Sequence, residues 1–306
     1  MIARLRKFVS DKIYRRLFIL HRFASIIPDK MYLRFKYYVI VGQSIDIEKP
    51  ISFSEKLQWL KIHDKRPIYT KLVDKYAVKD YVSELIGHEF VIPTYGVWDK
   101  FENITFEDLP DQFVLKTTHG GGNFGVYICK DKNQLDIRLL KKKMEGAIKQ
   151  KAYLRNKEWP YKGVKPRFIA EKYLDDATST DLIDYKFYCF NGNPKYCQVI
   201  RDRNTKETID FYNMKWEIQD FVGLNPYATN GQLPVPPPIN LELMRNICIK
   251  LSKNIPFVRV DLYEVNGSVY FGELTFYPAS GFGQFYPHEY NTILGNMITL
   301  PNEAIV

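Results

Sequence analysis

Apolar residues Ile2, Leu5, Val9, Ile13, Leu17, Leu20, Ala24 and Ile27 recur at three-and-four spacing, which predicts one amphipathic helix or a helical pair across residues 1–40. Helical spacing resumes between Ser52 and Gly87. Ser52-Phe53-Ser54-Glu55 offers a serine cap for a helix carrying Leu57, Trp59, Leu60 and Ile62. Pro67 opens a second helix through Leu72, Tyr76, Val78, Tyr81, Val82 and Leu85, with Gly87 placed to end it. After Gly87 the pattern changes to short β-branched and aromatic runs at 90–93, 97–98, 113–116, 126–129, 168–171, 185–190, 194–201, 211–218, 257–262 and 269–274, which read as strands. Helical stretches lie around 133–153 and 240–254. Asn191-Gly192 and Asn266-Gly267 are hairpin-turn signals. Strands with only occasional helices between them favour α+β over a regular βαβ winding, and no internal repeat is visible.

With 45% hydrophobic residues, the 306-residue chain is long enough to bury one large core or two linked ones, which excludes a disordered or fibrous protein. Cys129, Cys189, Cys197 and Cys248 are far apart, lack C-x-x-C spacing and sit in apolar runs. They read as reduced core residues of a cytoplasmic protein.

Residues 1–40 hold ten Lys/Arg and two acids, which accounts for nearly all of the +9 net charge. A basic N-terminus on an otherwise neutral chain argues against nucleic acid as the partner. Such a helix can lie on the anionic inner face of a membrane, each Lys/Arg near lipid adding about 1 kcal/mol. It can equally pack its apolar stripe on the rest of the protein. The longest apolar run there, residues 17–20, is too short for a signal-peptide core or a membrane span.

Three constellations carry candidate chemistry. Lys116-Thr117-Thr118-His119-Gly120-Gly121-Gly122-Asn123-Phe124-Gly125 places a lysine at a strand end before four glycines. Backbone N–H groups without a Cβ can approach phosphate oxygens, and the lysine supplies charge; an ordinary glycine-rich hairpin loop is the alternative. In Arg259-Val260-Asp261, strand alternation puts Arg259 and Asp261 on one face. The turn at Asn266-Gly267 then returns Glu273 towards Asp261. Two carboxylates in an apolar setting call for a cation, and Mg²⁺ is commonly held by carboxylates plus substrate phosphates; a surface ion pair with Arg259 is the alternative. Arg167 to Asp176 passes from a strand into an acid-flanked turn, which suits an adenine and a ribose or else a plain edge strand.

The order of these motifs, ending in Glu273-Leu274-Thr275, resembles the ATP-grasp superfamily. More narrowly, Ser-Phe-Ser-Glu-Lys-Leu-Gln-Trp-Leu from Ser52, Lys-Leu-Val-Asp-Lys-Tyr-Ala-Val from Lys71, Lys-Thr-Thr-His-Gly-Gly-Gly from Lys116 and Asp184-Tyr185-Lys186-Phe187 resemble the TupA-like, teichuronopeptide-biosynthesis family. The likeness covers about residues 45–300. It implies an ATP-grasp fold, two α+β lobes around a nucleotide site, after a helical N-terminal module. The divisions expected are 1–45, 46–112, 113–175 and 176–306. ATP and Mg²⁺ are the implied cofactors. By resemblance, Lys116 contacts the α/β-phosphates, Gly120, Gly121, Gly122 and Gly125 form a lid beside His119, and Glu171, Lys172, Tyr173 and Leu174 form the adenine hinge. Lys186 is a further phosphate or substrate contact, and Asp261 and Glu273 are the metal ligands. Many relatives carry Glu-x-Asn at the second metal position; Thr275 stands there in this chain and offers a weaker hydroxyl ligand. Arg259 or Arg201 stabilises an oxyanion.

The resemblance implies a carboxylate–amine ligase that forms an amide through an acylphosphate, acting on a uronic acid of a cell-surface polysaccharide or its precursor. A sugar or glycan kinase is the rival, separable because phosphate would appear on the acceptor and none be freed. A glycosyltransferase is weaker for want of a clear Asp-x-Asp motif. A membrane-docked scaffold would lose its role with residues 1–40, which a soluble ligase would survive. The run Phe276-Tyr277-Pro278-Ala279-Ser280-Gly281-Phe282-Gly283-Gln284-Phe285-Tyr286-Pro287-His288 reads either as a sugar-stacking platform, with Ser280 and Gln284 as hydrogen-bonding groups, or as aromatic core.

Overall fold

The helical N-terminus is a pair, α1 (Lys12–Arg22) and α2 (Asp29–Val41), in a computed structural model that describes residues 11–120, 125–175, 182–201, 207–224, 230–231 and 233–302. Ile2, Leu5 and Val9 of the apolar stripe, and Gly121 and Gly122 of the glycine loop, lie outside the described residues. Asp11 caps α1 by accepting from Tyr14 N at 2.9 Å, and α2 ends at Gly42 with φ 81°, a left-handed stop that suits glycine. Leu20, Ala24, Tyr32, Leu33 and Tyr37 close on Ile45, Ile47 and Phe282. Among the described residues of the stripe, Leu20 and Ala24 are buried and Leu17 and Ile27 half-buried. Ile13, Phe18, Ile19 and Phe23 are exposed.

A capping box between Ser52 and Glu55 starts α3 (Phe53–His63). The single helix expected after Pro67 is instead two, α4 (Ile68–Val73) and α5 (Ala77–Ile86). Asp74 breaks it. Its backbone is extended (φ −75°, ψ 114°), and its Oδ1 accepts from Tyr76 N at 2.9 Å and Ala77 N at 3.2 Å, a local bond that competes with helix continuation.

Strands β1 (Thr94–Trp98), β2 (Phe113–Thr117), β3 (Val126–Cys129) and β4 (Phe168–Lys172) form an antiparallel sheet in the order β1-β4-β2-β3. Strand β1 pairs with β4, so this sheet takes strands from both sides of residue 112. The run at 90–93 forms a 3₁₀ turn and one bridge from Val91 to Phe271 instead of a strand. Helix α6 (Ile137–Ile148) lays Leu140 and Met144 against Phe101, Phe106, Phe113 and Phe168. The short α7 (Ala152–Asn156) follows.

The second sheet contains β5 (Asp184–Phe190), β6 (Asn193–Arg201), β7 (Thr208–Asn213), β9 (Phe257–Val265) and β10 (Ser268–Thr275), ordered β10-β9-β5-β6-β7. Between them in sequence, β8 (Val222–Gly223) pairs with β11 (Phe285–Tyr286). Both expected hairpin turns form, with positive φ at Asn191-Gly192 and Asn266-Gly267, as their type requires. Every residue of central β5 is buried. Helix α8 (Leu241–Ser252) contributes Met244, Ile247, Cys248 and Leu251 to this core, and α9 (Glu289–Asn296) contributes Leu294. All four cysteines are buried and free. The chain crosses between sheets at Leu174, which packs with Ile92 and Val265.

Candidate nucleotide and metal site

In the second sheet, Lys186, Asp261 and Glu273 are register partners across β5, β9 and β10. Strict alternation along β10 would put Glu273 on the side of Val269 and Phe271, both buried in the core. The pairing instead runs Phe271↔Leu262 and then Glu273↔Asp261. Gly272 is therefore an extra residue, and this bulge turns Glu273 to the polar face. A Cβ on Gly272 would stand 2.9 Å from the Tyr263 ring and 3.1 Å from Asp261 O, closer than side-chain contacts allow.

The polar face is a dense ionic cluster. Arg259 holds Asp261 in a two-pronged pair, Nε to Oδ1 at 2.6 Å and Nη2 to Oδ2 at 2.7 Å. Lys186 Nζ also contacts Asp261 Oδ2, with Asp184 Oδ2 at 3.6 Å. Arg259 Nη2 reaches Thr275 Oγ1 at 3.0 Å and Glu273 Oε1 at 3.5 Å. Desolvation pushes the Glu273 carboxyl up, but Lys75, Lys186 and Arg259 outweigh it and hold Glu273 well below the usual carboxylate range.

The break after α4 supplies residues that the motif reading passed over. Lys75 Nζ donates to Glu273 Oε2 at 2.8 Å, while its backbone N–H donates to Thr118 O at 3.1 Å. Asp74 pairs with Arg167 at 3.0 Å. Lys79 reaches Glu171 at 2.5 Å and Ile92 O at 2.6 Å. The segment from 74 to 79 thus bonds to both sheets. The apolar spacing of Leu72, Tyr76 and Val78 runs on through this stretch, and only the charges of Asp74, Lys75 and Lys79 set it apart.

On the first sheet, Glu171 lies opposite Val114, so Lys116, two residues along β2, shares its face. Lys116 and Lys79 each approach Glu171 at 2.5 Å, and Glu171 is only 4% exposed. Burial pushes its carboxyl up, yet the two lysines prevail and bring it down to about 2. Lys172 is exposed and Leu174 belongs to the crossing, with Tyr173 half-buried between them. His119 is buried with Nε2 3.2 Å from Gln150 O, and burial lowers its pKa. Gly120 ends the described part of the loop, which resumes at Gly125. There φ is +87° and a Cβ would meet Thr117 Oγ1 at 2.5 Å.

Arg201 stands apart. Gln198 is the partner of Lys186, so Arg201, three residues on, lies on the opposite face. It bonds Asp210 and Leu233 O, both at 3.1 Å. The pleat thus turns it away from the face that carries Lys186, Arg259 and Asp261.

Together, Lys75, Lys79, Lys116, Lys186 and Arg259 face Glu171, Asp184, Asp261 and Glu273. Lys75 is influenced by Glu171 and Asp261 as well as Glu273, so the two sheets' clusters adjoin. The cluster carries one more cation than carboxylate, a small excess of positive charge. The oxygens of Asp261, Glu273 and Thr275 suit a hard divalent cation, and Glu273 keeps 34% of its side chain exposed. Among the described residues no three His, Cys, Asp or Glu side chains converge, so substrate oxygens must complete any such shell.

Among solved structures, the chain is similar to D-alanine–D-alanine ligase from Bacillus anthracis, at 17% identity and TM-score 0.44, covering 74% of this chain and 66% of that one. It is also similar to a RimK domain ATP-grasp protein from Sphaerobacter thermophilus, at 11% identity and TM-score 0.42, covering 77% and 70%. A third is the ATP-grasp ligase PsnB complexed with minimal precursor, Mg and ADP, at 14% identity and TM-score 0.38, covering 81% and 62%. The chain thus spans roughly two thirds of these proteins' own length. No curated protein matches it. The model of the TupA-like ATP-grasp family matches residues 55–299, and the chain belongs to that family.

Proposed function

We propose that the groove binds Mg-ATP and that the protein is an ATP-dependent carboxylate–amine ligase. The observation that carries this reading is the meeting of Lys116 and Glu171 on one sheet with Lys75, Glu273, Asp261 and Arg259 on the other. Lys116, Lys79 and Lys75 would contact the phosphates, and Gly120, Gly121, Gly122 and Gly125 would supply the lid that the resemblance implies. The adenine lies along Glu171 to Leu174. Asp261 and Glu273, with Thr275, would hold Mg²⁺, which when bound neutralises phosphate charge; Asp261 must then share oxygens now taken by Arg259 and Lys186.

A substrate carboxylate oxygen attacks the γ-phosphorus, and ADP leaves with the electrons of the broken P–O bond. An amine attacks the resulting acylphosphate carbon, phosphate departs, and the nitrogen's proton passes to water. Arg259 offers guanidinium donors to the tetrahedral oxyanion, and Lys186 contacts phosphate or substrate. In this reading the lobes are 113–175, whose sheet β1 joins, and 176–306, and the carboxylate belongs to a uronic acid of a surface polysaccharide or its precursor. The test is amine-dependent phosphate release from ATP with uronates and amino acids. Asp261→Ala and Glu273→Gln should abolish it; activity persisting in both removes the metal site. Phosphate found on the acceptor instead makes the protein a kinase, and binding of a UDP-sugar but not ATP makes it a glycosyltransferase.

We also infer membrane contact through α1, where exposed Ile13, Phe18, Ile19 and Phe23 adjoin Lys12, Arg15, Arg16 and Arg22. Co-sedimentation with anionic but not neutral vesicles, lost on removing residues 1–28, supports it; equal recovery with both overturns it. None of the described helices is long and apolar enough to cross a membrane.

A further inference from the structure

Two buried lysines stand outside the groove. Lys36 of α2 is 4% exposed and Lys61 of α3 is 2% exposed, and both ammonium groups lie 4.9 Å from the centre of the Phe282 ring. Other buried lysines meet a carboxylate: Lys79 meets Glu171, Lys157 meets Asp29, and Lys186 meets Asp261. Lys36 and Lys61 have only neutral acceptors among the described residues. Lys36 donates to Arg155 O at 2.5 Å and Asn156 Oδ1 at 2.6 Å. Lys61 donates to Asn156 O at 3.0 Å and Ser280 O at 2.7 Å. A buried ammonium without a countercharge is unfavourable. Burial accordingly brings Lys36 down to about 8 and Lys61 down to about 7, against a weaker opposing pull from Glu158 on each.

Lys36 lines a cavity of about 620 Å³ between α2 and the loop that follows Thr275, within the size range of small-molecule sites. Three amide side chains, Gln43, Asn156 and Gln284, and the rings of Tyr286 and His288 share its wall. The loop is built firmly. Ser54, Gln58 and Lys61, along one side of α3, hold Gly283 O, Gly281 O and Ser280 O at 2.7–2.8 Å. Gly281 packs so closely that a Cβ would meet Gln58 Nε2 at 2.7 Å. Phe276, Tyr277 and Phe285 of the run are core, and Phe282 and the more exposed Tyr286 are its rings on this wall.

We propose that this cavity binds a hydroxyl-rich anion, a sugar acid or sugar phosphate, whose negative group faces Lys36 and whose hydroxyls meet the amides. Lys61 is a positioning residue that fixes the loop through Ser280. That the anion is a substrate of the ligation rests on the reading above; that it binds does not.

Calorimetric titration of the full chain with glucuronate, glucose 6-phosphate and glucose, without ATP, tests the site. One or both anions should bind, and glucose at least about tenfold more weakly. Lys36→Met should weaken the anion by at least about tenfold. Ile40→Trp, which fills the cavity and keeps the lysine, should do the same if Lys36→Met fails to fold. Mg-ATP binding should be unchanged in both variants. No heat from either anion, glucose binding as tightly as the anions, or undiminished binding in Ile40→Trp overturns the proposal. Anion binding in a protein that does not bind Mg-ATP sinks the ligase reading and leaves this site standing.

Discussion

Replacing Glu171 by Gln keeps the shape of a buried side chain and removes the charge shared by Lys79 and Lys116. The carboxyl stands at about 2 against an ordinary 4.5, a depression equivalent to about 3 kcal/mol. A depressed carboxyl stabilises the fold above its unfolded pKa and loses that contribution as pH falls through its folded value. The contribution of Glu171 is therefore complete above roughly pH 5 and fades between about 4.5 and about 2. The variant has no such group, and at neutral pH it leaves buried cations short of a partner, a loss of about 3–5 kcal/mol. Urea unfolding of both proteins at pH 7, 5, 4 and 3 measures the difference. It should be largest at pH 7 and shrink by pH 3. A difference below about 1 kcal/mol at pH 7, or one that stays constant to pH 3, refutes the assignment of these lysines to Glu171.

Gly272→Ala should cost about 1–3 kcal/mol by thermal denaturation, because the new methyl must displace the Tyr263 ring, and should lower ATP-dependent turnover by moving Glu273. Arg259→Lys should reduce kcat by about 10², whereas Arg201→Gln should leave kcat nearly unchanged and lower only the melting temperature; steady-state kinetics on both separates the two faces. Lys75→Met should raise the KM for ATP and bring the Glu273 carboxyl back towards its ordinary range, read as a shift in the acid limb of the pH–rate profile.

Much of the site was legible because two-residue periodicity and turn chemistry are local. Asn266-Gly267 set the hairpin, and alternation put Arg259 beside Asp261. The bulge was not legible, since a glycine inside a strand announces neither its direction nor its register; the Glu273 pairing depends on it. The face on which Arg201 lies was not legible either, because it follows from how β6 aligns with Lys186, a long-range fact. The break at Asp74 was hidden by apolar spacing that continues through Leu72, Tyr76 and Val78, while a carboxylate bonding two nearby N–H groups overrode it. The serine cap of α3 and the four buried cysteines followed directly from composition and order.

The segment from Asp74 to Lys79 ties the two clusters together through ion pairs and hydrogen bonds. Phosphate that draws Lys116 away leaves Glu171 to Lys79 alone, and Lys79 shares its short stretch of chain with Lys75, the partner of Glu273. If the proposed nucleotide site is right, occupancy on one sheet would be felt on the other as a coupling free energy. By reciprocity, a ligand that engages Glu273 must change the affinity for phosphate at Lys116 by the same factor.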